Sequence, residues 1–356
     1  MSGTAPECAA APAQATQAPA PDAALQARIV RVRTALLSGS GRPGDLVAEL
    51  QSILAAEPES AEAHLLLGLA YRSIGNDMLA EAVAEFRQAL AIDPALVAGR
   101  FYLANAYLDL GRAERAREEL EAALKQTPGQ MQFTTLLVEA ERRAGNPERA
   151  LTLARQVPAT DAASPQARYY AAMALLDLKR RPEAITELEA LVKAGVTPPD
   201  VTSALGLAYL DEGRDSDATR MLAIATQAAP ARPDLRVALA RAYRRGGRLA
   251  ESEQQLAQAL PPGANREASE FYETVEADIH LETGLIRLAQ KRDDEALKEL
   301  TAAVELRPTH GPTHRHLAEL YLRQGQRAQA ITHATAARDA GETLPDALRA
   351  LLPTPQ

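Results

Sequence analysis

With 356 residues the chain is long enough to bury a large core, yet it has no Trp and only 4% aromatic residues, and its abundance of Ala, Leu, Arg and Glu favours closely packed helices over a mixed fold. The formal charge of -8 comes from acids and bases that alternate along the chain, which argues against the concentrated cationic surface a phosphate backbone requires, so nucleic acid is not the expected ligand. Cys8 is the only cysteine, which excludes an intramolecular disulfide and a cysteine-rich metal cage.

The chain opens with a tail, residues 1–26, whose Ala/Pro/Gln-rich stretch 9–21 lacks the pattern of a packed element and reads as disordered. It has neither the basic start nor the apolar run of a signal peptide, and no later run approaches a membrane span. As written, the chain is expected to be soluble and cytoplasmic. The tail has the composition of spacers that tether envelope domains, so a periplasmic location is expected instead if an upstream signal has been removed. Ala5, Pro6 and Glu7 before Cys8 do not fit a lipidation box. The bias of 34 Arg to 5 Lys points to a GC-rich, bacterial genome.

From Ala27 onward the sequence repeats with a period of 34 residues, the mark of a stacked array. Gly111, Ala116, Leu120, Ala123 and Pro128 recur as Gly213, Ala218, Leu222, Ala225 and Pro230. About nine units start at Ala27, Ala61, Val97, Met131, Pro165, Pro199, Pro233, Ala277 and Gly311. The first keeps only Leu37, Gly41 and Pro58 of the pattern and reads as a cap. The second carries two extra residues around Asn76 to Met78, in its inter-helix turn. Between Pro233 and Ala277 ten residues are inserted after Pro261-Pro262-Gly263. No breaker follows from Glu267 to Ala277, so this stretch is expected to extend the next helix by nearly three turns and to interrupt regular stacking. The expected organisation is therefore an N-terminal stack 27–262, an insertion 263–276 and a C-terminal stack 277–352, closed by a polar-sided capping helix from Leu344 to Leu352.

Within each unit the same side chains recur. Leu67, Leu103, Leu137, Leu205, Leu239 and Leu317 occupy position 7, and Gly68, Ala104, Ala172, Gly206, Ala240, Gly284 and Ala318 occupy position 8. Position 11 carries Tyr71, Tyr107, Tyr209, Tyr243 and Tyr321, position 20 is Ala in seven units, and position 32 is Pro58, Pro94, Pro128, Pro230 and Pro308. Small residues at 8 and 20 let two helices approach, Leu and Tyr fill the groove between them, and Gly near 15 and Pro at 32 end the helices. In these residues the chain resembles the tetratricopeptide repeat (TPR) over about nine-tenths of its length. The resemblance implies an all-α, right-handed superhelical solenoid of stacked antiparallel helix pairs.

Three motifs suggest chemistry and have simpler readings. Gly39-Ser40-Gly41-Arg42-Pro43-Gly44 matches the G-x-G-x-x-G phosphate fingerprint, but a helical segment precedes it where a strand is needed. His310, His314 and His316 cluster, but Pro312 starts a helix after His310 and spoils the i, i+4 spacing, while position 4 is also His64 and His280. Glu267, Glu270, Glu273, Glu276, Asp278 and Glu282 form an acidic run, expected to be a solvated helix face or a docking patch for a basic partner. No nucleophile elbow, Walker loop or zinc-protease motif is present, so no catalytic residue, metal or cofactor is expected.

In TPR proteins the first helix of each pair lines a concave groove through positions 2, 5, 6, 9, 12 and 13. Carried onto this chain, those positions select an aromatic and polar set, Phe101, Tyr102, Asn105, Tyr169, Tyr170 and Met173, and a basic set, Arg142, Arg143, Arg241, Arg244, Arg245 and Arg315, with Arg323 beside it. Rigid Tyr faces and Arg forks suit apolar anchors and carboxylates of a partner. The family's clamp for chaperone tails uses Lys, Asn and Arg; only Asn105 matches it, and Phe101 stands in place of the Lys. The expected function is a non-enzymatic scaffold or adaptor that holds a protein or peptide segment in the groove. The alternative is an accessory subunit of a multi-protein enzyme, secretion or polysaccharide-export complex.

Overall fold

A computed structural model describes residues 23–260 and 270–352. Residues 1–22, which hold Cys8 and most of the expected tail, residues 261–269, which hold Pro261, Pro262, Gly263 and Glu267 of the insertion, and the last four residues lie outside the described residues; the first helix begins at Ala23, inside the tail expected to run to residue 26.

Nineteen α-helices and no strand are found among the described residues. They follow the 34-residue period in consecutive pairs: α1 (Ala23–Ser38) and α2 (Pro43–Ala56), α3 (Ala61–Ile74) and α4 (Leu79–Ile92), α5 (Val97–Asp109) and α6 (Ala113–Gln126), α7 (Met131–Arg143) and α8 (Pro147–Ala154), α9 (Ser164–Asp177) and α10 (Arg181–Lys193). Then come α11 (Pro199–Asp211) and α12 (Asp215–Ala228), α13 (Pro233–Arg245) and α14 (Leu249–Ala259), α15 (Glu270–Ala289) and α16 (Asp293–Leu306), α17 (Gly311–Arg323) and α18 (Arg327–Asp339), and α19 (Asp346–Arg349). The extra residues of the second pair form a 3-10 turn, Asn76–Met78. The glycine-rich motif at residues 39–44 is a turn between two helices, α1 and α2, so it lacks the strand that a phosphate fingerprint needs.

Contacts divide the chain into two compact units, Met1–Ala144 and Gly145–Gln356. In both, the first helix of a pair lies close against the second because position 8 is small and faces a large residue at position 24. A Cβ on Gly68 would stand 2.5 Å from the ring of Phe86, and one on Gly206 would stand 2.6 Å from Leu222 Cγ. Phe86, Leu120, Leu188, Leu222 and Leu300 are 0% exposed, as is the Ala at position 20 in each of those pairs, so the tight approach removes the apolar stripe from water.

The turns between paired helices need a left-handed residue. Gly111, Gly145, Gly213, Gly247 and Gly325 supply it with φ of 69 to 83°. Two units place lysine there, Lys179 at φ 59° and Lys291 at φ 61°. Second helices end two residues before the position-32 prolines, and prolines in turn start α2, α8, α11 and α13 at a first-turn position where no N–H is missed.

α15 is 20 residues long, against 13 to 14 for the first helices α3, α5, α7, α9, α11, α13 and α17. Apolar packing is continuous here: Val237 and Ala240 of α13 and Leu256 and Ala259 of α14 form one cluster with Val275 and Ile286 of α15. At the C-terminal end Leu344 and Leu348 pack on Ala318, Ala334 and Ala337, and the capping helix is a single turn, α19, shorter than the stretch 344–352 suggested.

Candidate functional site

A polar pair recurs inside the helix pairs. Position 4 of the first helix carries a basic or histidine side chain, and position 23 of the second carries its partner. His64 Nδ1 meets Glu85 Oε2 at 2.6 Å, Arg100 donates to Glu119 at 2.8 Å, Arg168 to Glu187 at 3.0 Å, and His280 meets Glu299 at 2.7 Å. The same side chains reach back to the proline carbonyl before their helix, His64 to Pro58 at 3.0 Å and Arg100 to Pro94 at 3.3 Å. In the last pair the carboxylate is replaced: His314 Nδ1 faces His333 Nδ1 at 2.8 Å while its Nε2 lies 2.8 Å from Pro308 O. A carbonyl only accepts, so Nε2 carries the proton and Nδ1 accepts the N–H of His333. Burial, reinforced by His314, holds His333 below the usual histidine pKa. His310 is bonded to Thr313 at 2.7 Å, and its pKa is likewise lowered, first by burial and then by Arg307. The clustered histidines are thus divided among separate packing roles, and no group of three or more metal-ligating side chains occurs among the described residues.

In the first unit, Phe101 and Tyr102 on α5 are half-buried. Phe101 lies 5.3 Å from the Phe133 ring on α7, and Tyr102 is stacked at 6.1 Å on Phe86. Asn105 Nδ2 donates to Phe101 O at 2.9 Å. Arg142 and Arg143 both grip Glu139, which is only 4% exposed in its side chain. Arg143 also donates to Leu108 O, 3.2 Å away at the end of α5. The arrangement ties α7 to α5.

In the second unit, Tyr169 and Tyr170 on α9 have ring centroids 5.7 Å apart, and Met173 packs with Tyr169 on the core shared by α9 to α13. Arg241 and Arg244 of α13 donate to the two oxygens of Glu282 at 2.6 and 2.7 Å, and the Glu282 side chain is 2% exposed. Burial works against the charge of Arg241, but Glu282 outweighs it and the guanidinium pKa is raised. Arg245 repeats the role of Arg143 one hundred and two residues later, donating to Leu210 O at 2.6 Å and pairing with Asp215 at 2.9 Å. Arg315 reaches Glu319 and Glu342, and Arg323 reaches Asp293.

The basic set is therefore bound by the chain's own carboxylates and helix ends. The acidic run needs a correction as well: Glu282 is buried at 1% exposure and Asp278 pairs with Arg307 at 3.1 Å, so these two belong to helix packing and not to a solvated face. Sequence reasoning missed the position 4 to 23 pairing, although its signal was present: a basic residue and Glu 19 apart, or 21 apart in the second pair with its two extra residues, where the pair is polar, and Thr202 with Met221 where it is not.

Paired helices with small-to-large contacts at fixed positions, and half-exposed aromatics on the first helix of a pair, define a helical-repeat protein of the kind that serves as an interaction scaffold. Tetratricopeptide repeat models match residues 36–97, 135–197 and 203–269, and a second such model matches 73–137. The chain belongs to the tetratricopeptide repeat family. Among solved structures it is similar to the human IFIT1 dimer with m7Gppp-AAAA, at 17% identity and a TM-score of 0.60, with 83% of this chain and 73% of that one covered. It is similar also to the APC/C hetero-tetramer Cut9-Hcn1, at 15% identity, a TM-score of 0.63 and coverage of 93% and 63%. PilW, a type IV pilus biogenesis factor, aligns at 17% identity with a TM-score of 0.51, over 60% of this chain and 97% of its own. These likenesses are of fold. No curated protein matches the sequence.

Proposed function

We propose that the protein is a non-enzymatic scaffold that holds a segment of a partner polypeptide against the first helices of its repeats. The observation that carries this reading is the partial exposure of Phe101, Tyr102, Tyr169 and Tyr170, while Leu103, Ala104 and Ala172 beside them are buried. Half-exposed aromatic rings bury large area on binding at small entropic cost. Human IFIT1 was solved with m7Gppp-AAAA, so capped RNA is the competing ligand class. Against it stand the net charge of -8 and the engagement of Arg142, Arg143, Arg241 and Arg244 by the chain's own carboxylates, which leaves little cationic surface for phosphates.

Affinity capture with the full chain from an extract of its source organism, followed by mass spectrometry, should return a polypeptide whose purified form binds directly. Tyr102→Ala or Tyr170→Ala should weaken that binding by about 2 kcal/mol if the ring is a hot spot, with little change in helical content. Unchanged affinity in both variants removes these rings from the binding surface, and capture of no polypeptide that binds directly in purified form overturns the reading.

A further inference from the structure

Two of the few large apolar side chains left exposed among the described residues come from different helices and line one pocket. Leu207 of α11 is 42% exposed and Phe271 of α15 is 48% exposed. Together with Ser203, Val237, Arg241 and Thr274 they enclose about 200 Å³ within the second unit. Leu207 stands at position 9 and Val237 at position 5 of their repeats, both among those the family turns toward its groove. Phe271 belongs to the extra turns of α15 that the regular repeat lacks. Phe271, Thr274, Val275 and Asp278 share one helix face. Val275 is 4% exposed and set in the core with Val237, so it fixes the helix and carries Phe271, one turn earlier, past the core edge. Tyr272 backs Phe271 edge-on at 5.3 Å.

We infer that this pocket is an anchor site that takes one bulky aliphatic or aromatic side chain of a partner segment, flanked by a lysine or arginine. The inference rests on the scaffold reading above. Size sets the occupant: 200 Å³ is below the roughly 300–1,000 Å³ of small-molecule sites and suits a single side chain. Charge sets its neighbours. The pocket's own arginines are satisfied, Arg241 by Glu282 at 2.6 Å and Arg232 by Asp200 at 2.8 Å and Asp234 at 2.6 Å. Glu270 and Glu273 do not line the pocket but stand exposed on the neighbouring flank of α15, both on one side of Phe271, and make no ion pair among the described residues. A cation beside the anchor therefore meets uncompensated carboxylates, and an anion does not. The packing of α13 on α15 needs neither Leu207 nor Phe271, since its apolar seam is complete in Val237, Ala240, Val275 and Ile286.

Selection of random twelve-residue peptides on phage against the full chain, followed by fluorescence anisotropy with the selected peptides made synthetically, tests this. The expected peptides carry Leu, Met or Phe next to Lys or Arg. Leu207→Ser with Phe271→Ser should weaken their binding about tenfold or more with an unchanged thermal melt. Phe271→Ala alone serves as the second variant should the double one melt early. Glu270→Lys with Glu273→Lys should weaken binding and flatten its dependence on salt. Selected peptides whose binding depends on Tyr102 or Tyr170 but not on Leu207 and Phe271 overturn the anchor site and leave the scaffold reading standing. Peptides indifferent to all four residues overturn both, and a selection that enriches no Leu207- and Phe271-dependent peptide overturns the anchor site.

Discussion

Glu282 joins two arginines of α13 to α15 with both carboxylate oxygens used, and it is almost wholly buried. Removing one member of such a group leaves charge without compensation in a low-dielectric site, so Glu282→Ala should destabilise the second unit by about 3–5 kcal/mol. Glu282→Gln keeps the shape and loses the charge and should cost less. Urea unfolding followed by circular dichroism reads both values. The His314–His333 pair gives a pH effect of known sign. Because the folded-state pKa of His333 lies below its ordinary value of 6.5, the unfolded chain takes up a proton first on acidification. Stability is complete above about pH 6.5 and is lost as pH falls through the folded pKa, and His310 adds a loss in the same direction. His333→Glu restores the carboxylate that Glu85, Glu119, Glu187 and Glu299 supply in four other pairs. Its melting temperature should exceed that of the wild type by a margin that widens from pH 7 to pH 5, and a constant margin would show that the pair does not titrate with folding.

Helix pairs depend on two kinds of backbone position. Gly206 lets α11 and α12 touch, and an added methyl would meet both the Leu222 side chain at 2.6 Å and its backbone nitrogen at 3.3 Å. Leu222 is fully buried and has nowhere to move, so Gly206→Ala should cost about 1–3 kcal/mol by overpacking, measurable as a lower denaturation midpoint. The turn positions run the other way. Lys179 and Lys291 hold left-handed backbone that glycine occupies in the equivalent turns, and L-residues pay about 1 kcal/mol or more there. Lys179→Gly and Lys291→Gly should each raise stability, by less than that strain because glycine also loosens the unfolded chain.

Across the whole molecule stability is close to a sum of terms from each repeat and its neighbours. An end helix has a neighbour on one side only, and α1 is anchored among described residues chiefly through Ile29 and Val32, α19 through Leu348. Amide exchange should therefore be fastest in these two helices and slowest in interior pairs such as α11 and α12. Equal protection from end to end would contradict a nearest-neighbour array. Exchange across α13 and α15 should be slow too, since both an apolar cluster and the Glu282 bridges join them.

The period, the helix pairs, the turn glycines and the small residues of position 8 are all legible in the sequence, because each follows from a spacing of 34 or from a contact between fixed positions of one pair. The same spacing put Tyr102 and Tyr170 on first helices outside the Leu and Ala positions of the pair core, and both are half-buried. It did not determine what a charged side chain meets there. Arg241 and Arg244 find Glu282 about 40 residues on, and Arg143 and Arg245 find helix-end carbonyls 35 residues back. Those partners compete on geometry across neighbouring repeats, and each ion takes whichever acceptor desolvation and reach favour. Only the tertiary structure decides that competition. It likewise decides that Phe271, read from the sequence as part of a helix extension, lines one pocket with Leu207, because the inserted turns are aimed by the packing of Val275 and not by the repeat.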